Sequence, residues 1–316
     1  MNERTHLMIK VAKLYYESGL TQEAISRQLR ISRPTISRLM QDAIDQGIVK
    51  ITITQDSERF AEVEKQLCDI YGLLEVIVTD ISDPDSNSEV SKDLGVTAAY
   101  YFSRMVKDGD VIGLTWGTTL SAMVDNLKST RIRNVVVVQL VGGLGEPSSN
   151  THATDLVRRI SLTLGATVRL MPAPGIVSSV DLARLLRSDR YIASAIEDVS
   201  KVDIVFAGIG GLTKNALLVR DETIITWSEV RALMDRGAVG EIGLHFYDIQ
   251  GHLVDSDLEE RIIGIGLEEL KSINRIVAIA GGNEKLDAIL GAIRGKYINT
   301  LITDIYTAKN LLDAAK

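Results

Sequence analysis

The sequence predicts an α/β protein in two parts: a small helical N-terminal part and a larger part in which strands and helices alternate. Two patterns and a charge asymmetry predict it. From Leu73 onward, short β-branched runs alternate with segments of helical period, the pattern of a mostly parallel sheet covered on both faces. Ahead of it, Thr21 to Arg38 reads as two short helices with a tight turn between them. Residues 1–55 carry eight basic and five acidic side chains within a chain of net charge −7, so the remainder holds −10. A locally positive segment on an acidic chain confines any contact with a polyanion to that segment.

In the helix pair, Leu20, Ala24, Ile25 and Leu29 share one face of the first helix. Ser32 is placed to cap the second, and Pro34 is tolerated in its first turn, where its missing N–H would have no partner anyway. Ile36, Leu39, Met40, Ala43 and Ile44 give that helix a buried face. Arg33, Thr35, Ser37 and Arg38 are left outside, and such side chains bond to phosphates and base edges. Thr21 and Gln22, opening the first helix, would anchor to backbone phosphate. Residues 5–18 supply a preceding helix, and Gln46-Gly47 turns into Ile48, Lys50, Ile51 and Ile53, a strand suited to a wing. The expectation is a winged helix-turn-helix over residues 1–55 with operator DNA as its partner. The plainer alternative is a helical hairpin at the edge of a larger fold; the N-terminal position, the Arg, Thr and Ser face and the wing strand weigh against it.

The chain has 316 residues, 45% of them hydrophobic and 24% charged, an ordinary globular composition with length for two domains. No apolar run approaches the ~20 residues of a membrane span. The first ten residues lack the apolar core of a signal peptide, so a cytoplasmic protein with no membrane partner is expected. Cys68 is the single cysteine, which excludes an internal disulfide and a Cys-rich zinc site; a buried structural thiol is expected there. The four histidines show no metal-ligand spacing, and no metal is expected.

In residues 56–316, Ser57–Tyr71 is a charged helical segment. Strands are expected near Leu73–Thr79, Val111–Thr115, Val135–Leu140, Val168–Leu170, Ile204–Ala207, Leu244–Tyr247, Ile276–Ala280 and Leu301–Thr303. Helices are expected near Ser91–Val106, Leu120–Leu127, Asp155–Leu164, Ser179–Leu186, Trp227–Asp235, Lys285–Arg294 and Tyr306–Ala315, with a loop over Asp80–Glu89. Four strands run into glycine- or hydroxyl-rich turns: GLTWGTT (113–119), GGLG (142–145), GIGG (208–211) and GGNEK (281–285). In open parallel sheets ligands bind beyond the carboxyl ends of strands, where glycines let amides approach and helix N-termini favour anions. Thr118 and Thr119 can offer hydroxyls to phosphate oxygens, and Lys285 is placed as the counter-charge. None of these turns is a Walker loop or a complete GxGxxG with an acidic partner, so no nucleotide cofactor is expected. Glycine also ends strands for steric reasons alone; it is the four turns together that point to a phosphorylated small ligand.

Asp248 lies in HFYDIQGHLVD, a hairpin pattern around Gln250-Gly251. It either stabilises the turn or accepts hydrogen bonds from sugar hydroxyls. Ser121, Ser148 and Ser149 lack a nucleophile-elbow context. An isomerase or aldolase is the alternative function, but no acid–base pair is legible beside Lys285.

The motifs LYYESGLTQEAISRQLRISRPTISRLM, KDGDVIGLTWGTT, VVVVQLVGG, MPAPG, GAVGEIGLHFYDIQG and AGGNEKLDAILGAIRGKYINTLITD occur in this order along nearly the whole chain. In that set the sequence resembles the SorC family of bacterial sugar-responsive transcription regulators, in its deoxyribonucleoside-regulator-like branch. The resemblance implies an N-terminal winged helix-turn-helix and a C-terminal, Rossmann-like effector domain akin to sugar-phosphate isomerases. It also implies a sugar-phosphate or polyol effector and a homo-oligomer, a tetramer built as a dimer of dimers. By the same match, phosphate loops correspond to Gly117, Thr118, Thr119 and to Gly281, Gly282, Lys285. Asp248 corresponds to a ligand-contacting aspartate, and Gly142 and Gly143 line the pocket. Two departures stand out. Val141 replaces a lysine able to form a Schiff base, so covalent capture is not expected, and Glu241 stands where many relatives have Asp.

Overall fold

The computed structural model describes residues 3–17, 20–46, 48–49, 55–129, 132–143, 153–214, 216–219 and 225–315. The chain divides into two compact units, residues 1–58 and 59–316.

In the first unit, helix Glu3–Ala12 runs into a π-helical turn at Lys13–Glu17, followed by helices Gln22–Leu29 and Arg33–Asp45. The Thr21 hydroxyl accepts the Ala24 amide, Arg30 turns left-handed at φ 56°, and the Ser32 hydroxyl caps the next helix through the Thr35 amide. Met8, Val11, Ile25, Ile36 and Ala43 form its core, with Ile48 and Val49 packed against it. The rest of the expected wing, residues 50–54, lies outside the described residues.

The second unit is organised by a parallel sheet. Its strands are β1 (Glu75–Thr79), β2 (Val111–Leu114), β3 (Val136–Gln139), β4 (Thr167–Arg169), β5 (Ile204–Gly208), β9 (Arg275–Ile279) and β10 (Thr300–Asp304). Between β5 and β9 come β6 (Gly210–Gly211), β7 (Ala238–Ile242) and β8 (His245–Asp248). The large sheet has the order β1-β10-β9-β5-β2-β3-β4, every pairing parallel. β10, paired on both sides, is buried along its length, whereas its neighbour, edge strand β1, alternates between buried and half-buried positions. That is the difference between a strand covered on both faces and one at a margin. Helices 87–105, 118–126 and 153–164 cover one face around Phe102, Leu120, Leu156 and Phe206; helices 55–71, 190–199, 286–294 and 305–313 cover the other around Leu67, Ile192, Ile289 and Leu311.

Three expectations are corrected. The segment Leu244–Tyr247 is not a strand of the parallel sheet: β6, β7 and β8 form a separate antiparallel sheet. Strand Ala238–Ile242 and helix Arg190–Val199 were not expected. Helix 87–105 starts inside the expected loop because the Ser86 hydroxyl caps it through the Glu89 amide.

Candidate functional site

The chain leaves β2 for β3 and β4 in one direction and leaves β5 for β9 and β10 in the other, and β2 and β5 are neighbours. Their carboxyl ends therefore flank a topological switch point, the place where open α/β sheets hold ligands. The two turns there are tied together: the Gly208 amide donates to the Thr115 hydroxyl at 3.1 Å, and a Cβ on Gly208 would lie 2.9 Å from the Trp116 carbonyl. Glycine is needed for that approach.

A cavity of about 500 Å³ opens at this point. Gly117, Thr118 and Thr119 line it from the β2 turn, Gly208 to Gly211 from the β5 turn, and Gly281, Glu284 and Lys285 from the β9 turn. Glu241 of β7 lines it as well. Gly117 stands at φ 132° as N-cap of helix 118–126, whose first-turn amides have no acceptor within the helix. Thr119 is buried and its hydroxyl donates to Ser91 at 3.4 Å, while Thr118 is exposed.

Lys285 is half-buried, and among the described residues its ammonium has no hydrogen bond or ion pair. Burial lowers its pKa, against the attraction of Glu241 and Glu284. Glu241 is 5% exposed, and its carboxyl is pushed up to about 7 by burial, opposed by the Leu244 amide, Lys285 and His245. The Leu244 amide donates to Glu241 Oε2 at 2.9 Å, from a residue held at φ 75° in the β7–β8 turn. Glu241, noted in the sequence only as a departure from a family Asp, was not among the expected site residues. Its signal was an acid within the glycine- and alanine-rich run GAVGEIG, too small in itself to mark a site.

The structure separates four other expected residues from this cavity. Gly282 is next to it in sequence, but its amide points inward, donating to Asp304 Oδ2 and the Thr307 hydroxyl at 2.9 Å each. The Gly142 amide donates to the Ile263 carbonyl, and a Cβ there would lie 2.6 Å from the Ala173 and Pro174 backbone. Gly143 exchanges backbone bonds with Ala173 and Gly175. Asp248 serves its turn, its Oδ1 accepting the Gln250 and His252 amides at 2.9 and 2.8 Å. Burial works against ionisation of Asp248, but these two bonds and His252 prevail and lower its pKa. None of Gly142, Gly143, Asp248 or Gly282 lines the cavity.

On the first unit, Arg33, Thr35, Ser37 and Arg38 are all exposed on helix Arg33–Asp45. The Thr35 hydroxyl shares a 2.7 Å hydrogen bond with Ser32, and the half-buried Gln22 amide reaches the Met40 sulfur at 3.7 Å. Thr21 is exposed and caps its helix.

Residues 55–313 match the Sugar-bind family, a sugar-binding domain. The chain is 35% identical over 311 residues to the deoxyribonucleoside regulator of Bacillus subtilis (strain 168), covering 98% of each. It is 33% identical to the sorbitol operon regulator of Klebsiella pneumoniae, covering 97% of each. The crystal structure of that full-length regulator, SorC, superposes with a TM-score of 0.75 at 32% identity, over 98% of this chain and 100% of the other. The chain belongs to the SorC family of sugar-binding transcription regulators. As a SorC-family member it is a regulator rather than an enzyme. Among the described residues no helix is long and apolar enough to cross a membrane.

Proposed function

We propose that this regulator binds a sugar phosphate or polyol phosphate in the cavity at the β2–β5 switch point, and that the bound effector sets how residues 1–55 hold operator DNA. The half-buried Lys285 ammonium carries the reading: it has no hydrogen bond or ion pair among the described residues, and it lines the same cavity as Gly117 and Thr118 at the start of helix 118–126, whose first-turn amides have no acceptor within the helix. Thr118 supplies a hydroxyl to the anion, and Glu241 accepts from the sugar hydroxyls. Residues 56–316 are the effector-binding and oligomerisation domain, and Arg33, Thr35, Ser37 and Arg38 read the major groove.

One recognition helix makes few base contacts, each worth roughly 1–3 kcal/mol, so specific binding requires at least a dimer on a two-fold site, and a dimer of dimers in the cytoplasm is the assembly we propose. A thermal-shift screen of sugars, polyols and their phosphates tests the effector site. A ligand at 100 times its Kd stabilises by about 2.7 kcal/mol. Phosphorylated ligands should raise the melting temperature of the wild type and fail on Lys285→Ala. Equal stabilisation of both proteins would remove the anion from this cavity.

A further inference from the structure

We propose that Asp304 and Thr307 are positioning residues for the effector: they fix the 281–285 turn and thereby hold Lys285 toward the cavity. The inference rests on the anion-binding reading above. Asp304 is completely buried at the end of β10, and among the described residues no cation pairs with it. Its two oxygens do different work. Oδ1 accepts the Tyr306 and Thr307 amides at 2.9 and 2.8 Å, an N-cap for helix 305–313. Capping that helix requires only this oxygen. Oδ2 accepts the Thr307 hydroxyl at 2.6 Å and the Gly282 amide at 2.9 Å, and the Thr307 hydroxyl accepts the same Gly282 amide at 2.9 Å.

The Gly282 amide is thus held by two oxygens from a neighbouring strand end and helix, and Gly281 fits against Asp304 only because it has no Cβ. Gly282 sits at φ 95°, and the Lys285 amide returns to its carbonyl at 3.0 Å. The backbone that carries Lys285 is therefore clamped one turn upstream of the lysine. Buried hydrogen bonds to a charged group are among the strong ones, and a ligand side chain on an unclamped turn loses its preset direction. A helix cap alone would not need Oδ2 or the Thr307 hydroxyl.

The test uses full-length protein and inorganic phosphate as the probe, titrated by calorimetry, with circular dichroism as the fold control. Thr307→Val keeps the shape of the side chain and removes the hydroxyl; Asp304→Asn keeps an acceptor for the cap and turns a donor toward the Gly282 amide. Each should weaken phosphate binding by about tenfold or more. Thr307→Ser should restore wild-type affinity, which a defect of general packing would not allow. Unchanged affinity in folded Thr307→Val or Asp304→Asn, with binding lost in Lys285→Ala, overturns the positioning role and leaves the anion site standing. Binding retained in Lys285→Ala overturns both.

Discussion

Glu241 and Lys285 reach one cavity from separate elements, β7 and the turn after β9, and each is a cause of the other's shift: Lys285 counteracts the rise of the Glu241 carboxyl, and Glu241 counteracts the fall of the Lys285 ammonium. Burial dominates both. A pocket that desolvates an acid and a base together is costly when empty and rewards a ligand that restores contacts to both.

That cost has a sign in pH. The folded Glu241 carboxyl titrates at about 7, above its ordinary value of 4.5. Between those values the folded protein holds a proton that the unfolded chain has released. The contribution is thus fully present below the unfolded value and disappears as pH rises through 7. The wild type should lose stability from about pH 5 to pH 7, by about 3 kcal/mol at most. Glu241→Gln should flatten this dependence. Melting temperatures of both proteins across that range check it, and parallel curves would mean Glu241 does not titrate there.

Lys285→Ala should weaken a phosphorylated effector by about 10- to 100-fold, the value of a hydrogen bond to a charged group, while DNA binding without effector persists. Operator titrations with and without the effector read both quantities. Full response in the mutant would place the anion elsewhere.

Gly142→Ala should lower stability by about 1–3 kcal/mol through overpacking against Ala173 and Pro174, and leave effector affinity of the folded fraction unchanged. Denaturant unfolding and ligand titration together check this. A selective loss of effector affinity would return Gly142 to the pocket.

The parallel sheet, most of its strands and the helix pair were legible because β-branched runs and helical periods survive burial, and because Ser32 and Thr21 mark helix starts in the sequence itself. The cavity was half legible. Thr118 and Lys285 follow glycine turns at strand ends, a position with a physical meaning. Glu241 was legible only as a departure from a family Asp and not as a site residue, because strand Ala238–Ile242, which was not expected, takes shape only where β6 and β8 pair with it. Gly142, Gly143 and Asp248 carry the same local signals as ligand loops. Their contacts, however, are with Ile263, Ala173, Pro174 and the Gln250–His252 turn, which sequence spacing does not reveal.

Arg38→Ala tests the other end of the chain. Arg38 is exposed on helix Arg33–Asp45, whose buried side is set by Ile36, Leu39, Met40 and Ala43, so removing it leaves the core intact. Operator affinity should fall by about 1–3 kcal/mol if Arg38 bonds a base edge, with relaxed preference at one position. If it bonds a phosphate, affinity should fall evenly across sequences and the salt slope should drop by about one. Ligand-induced thermal stabilisation should survive in either case. Gel-shift titrations at several salt concentrations, with operator and scrambled duplex, separate the two contacts, and loss of thermal stabilisation together with DNA binding would mark Arg38 as structural.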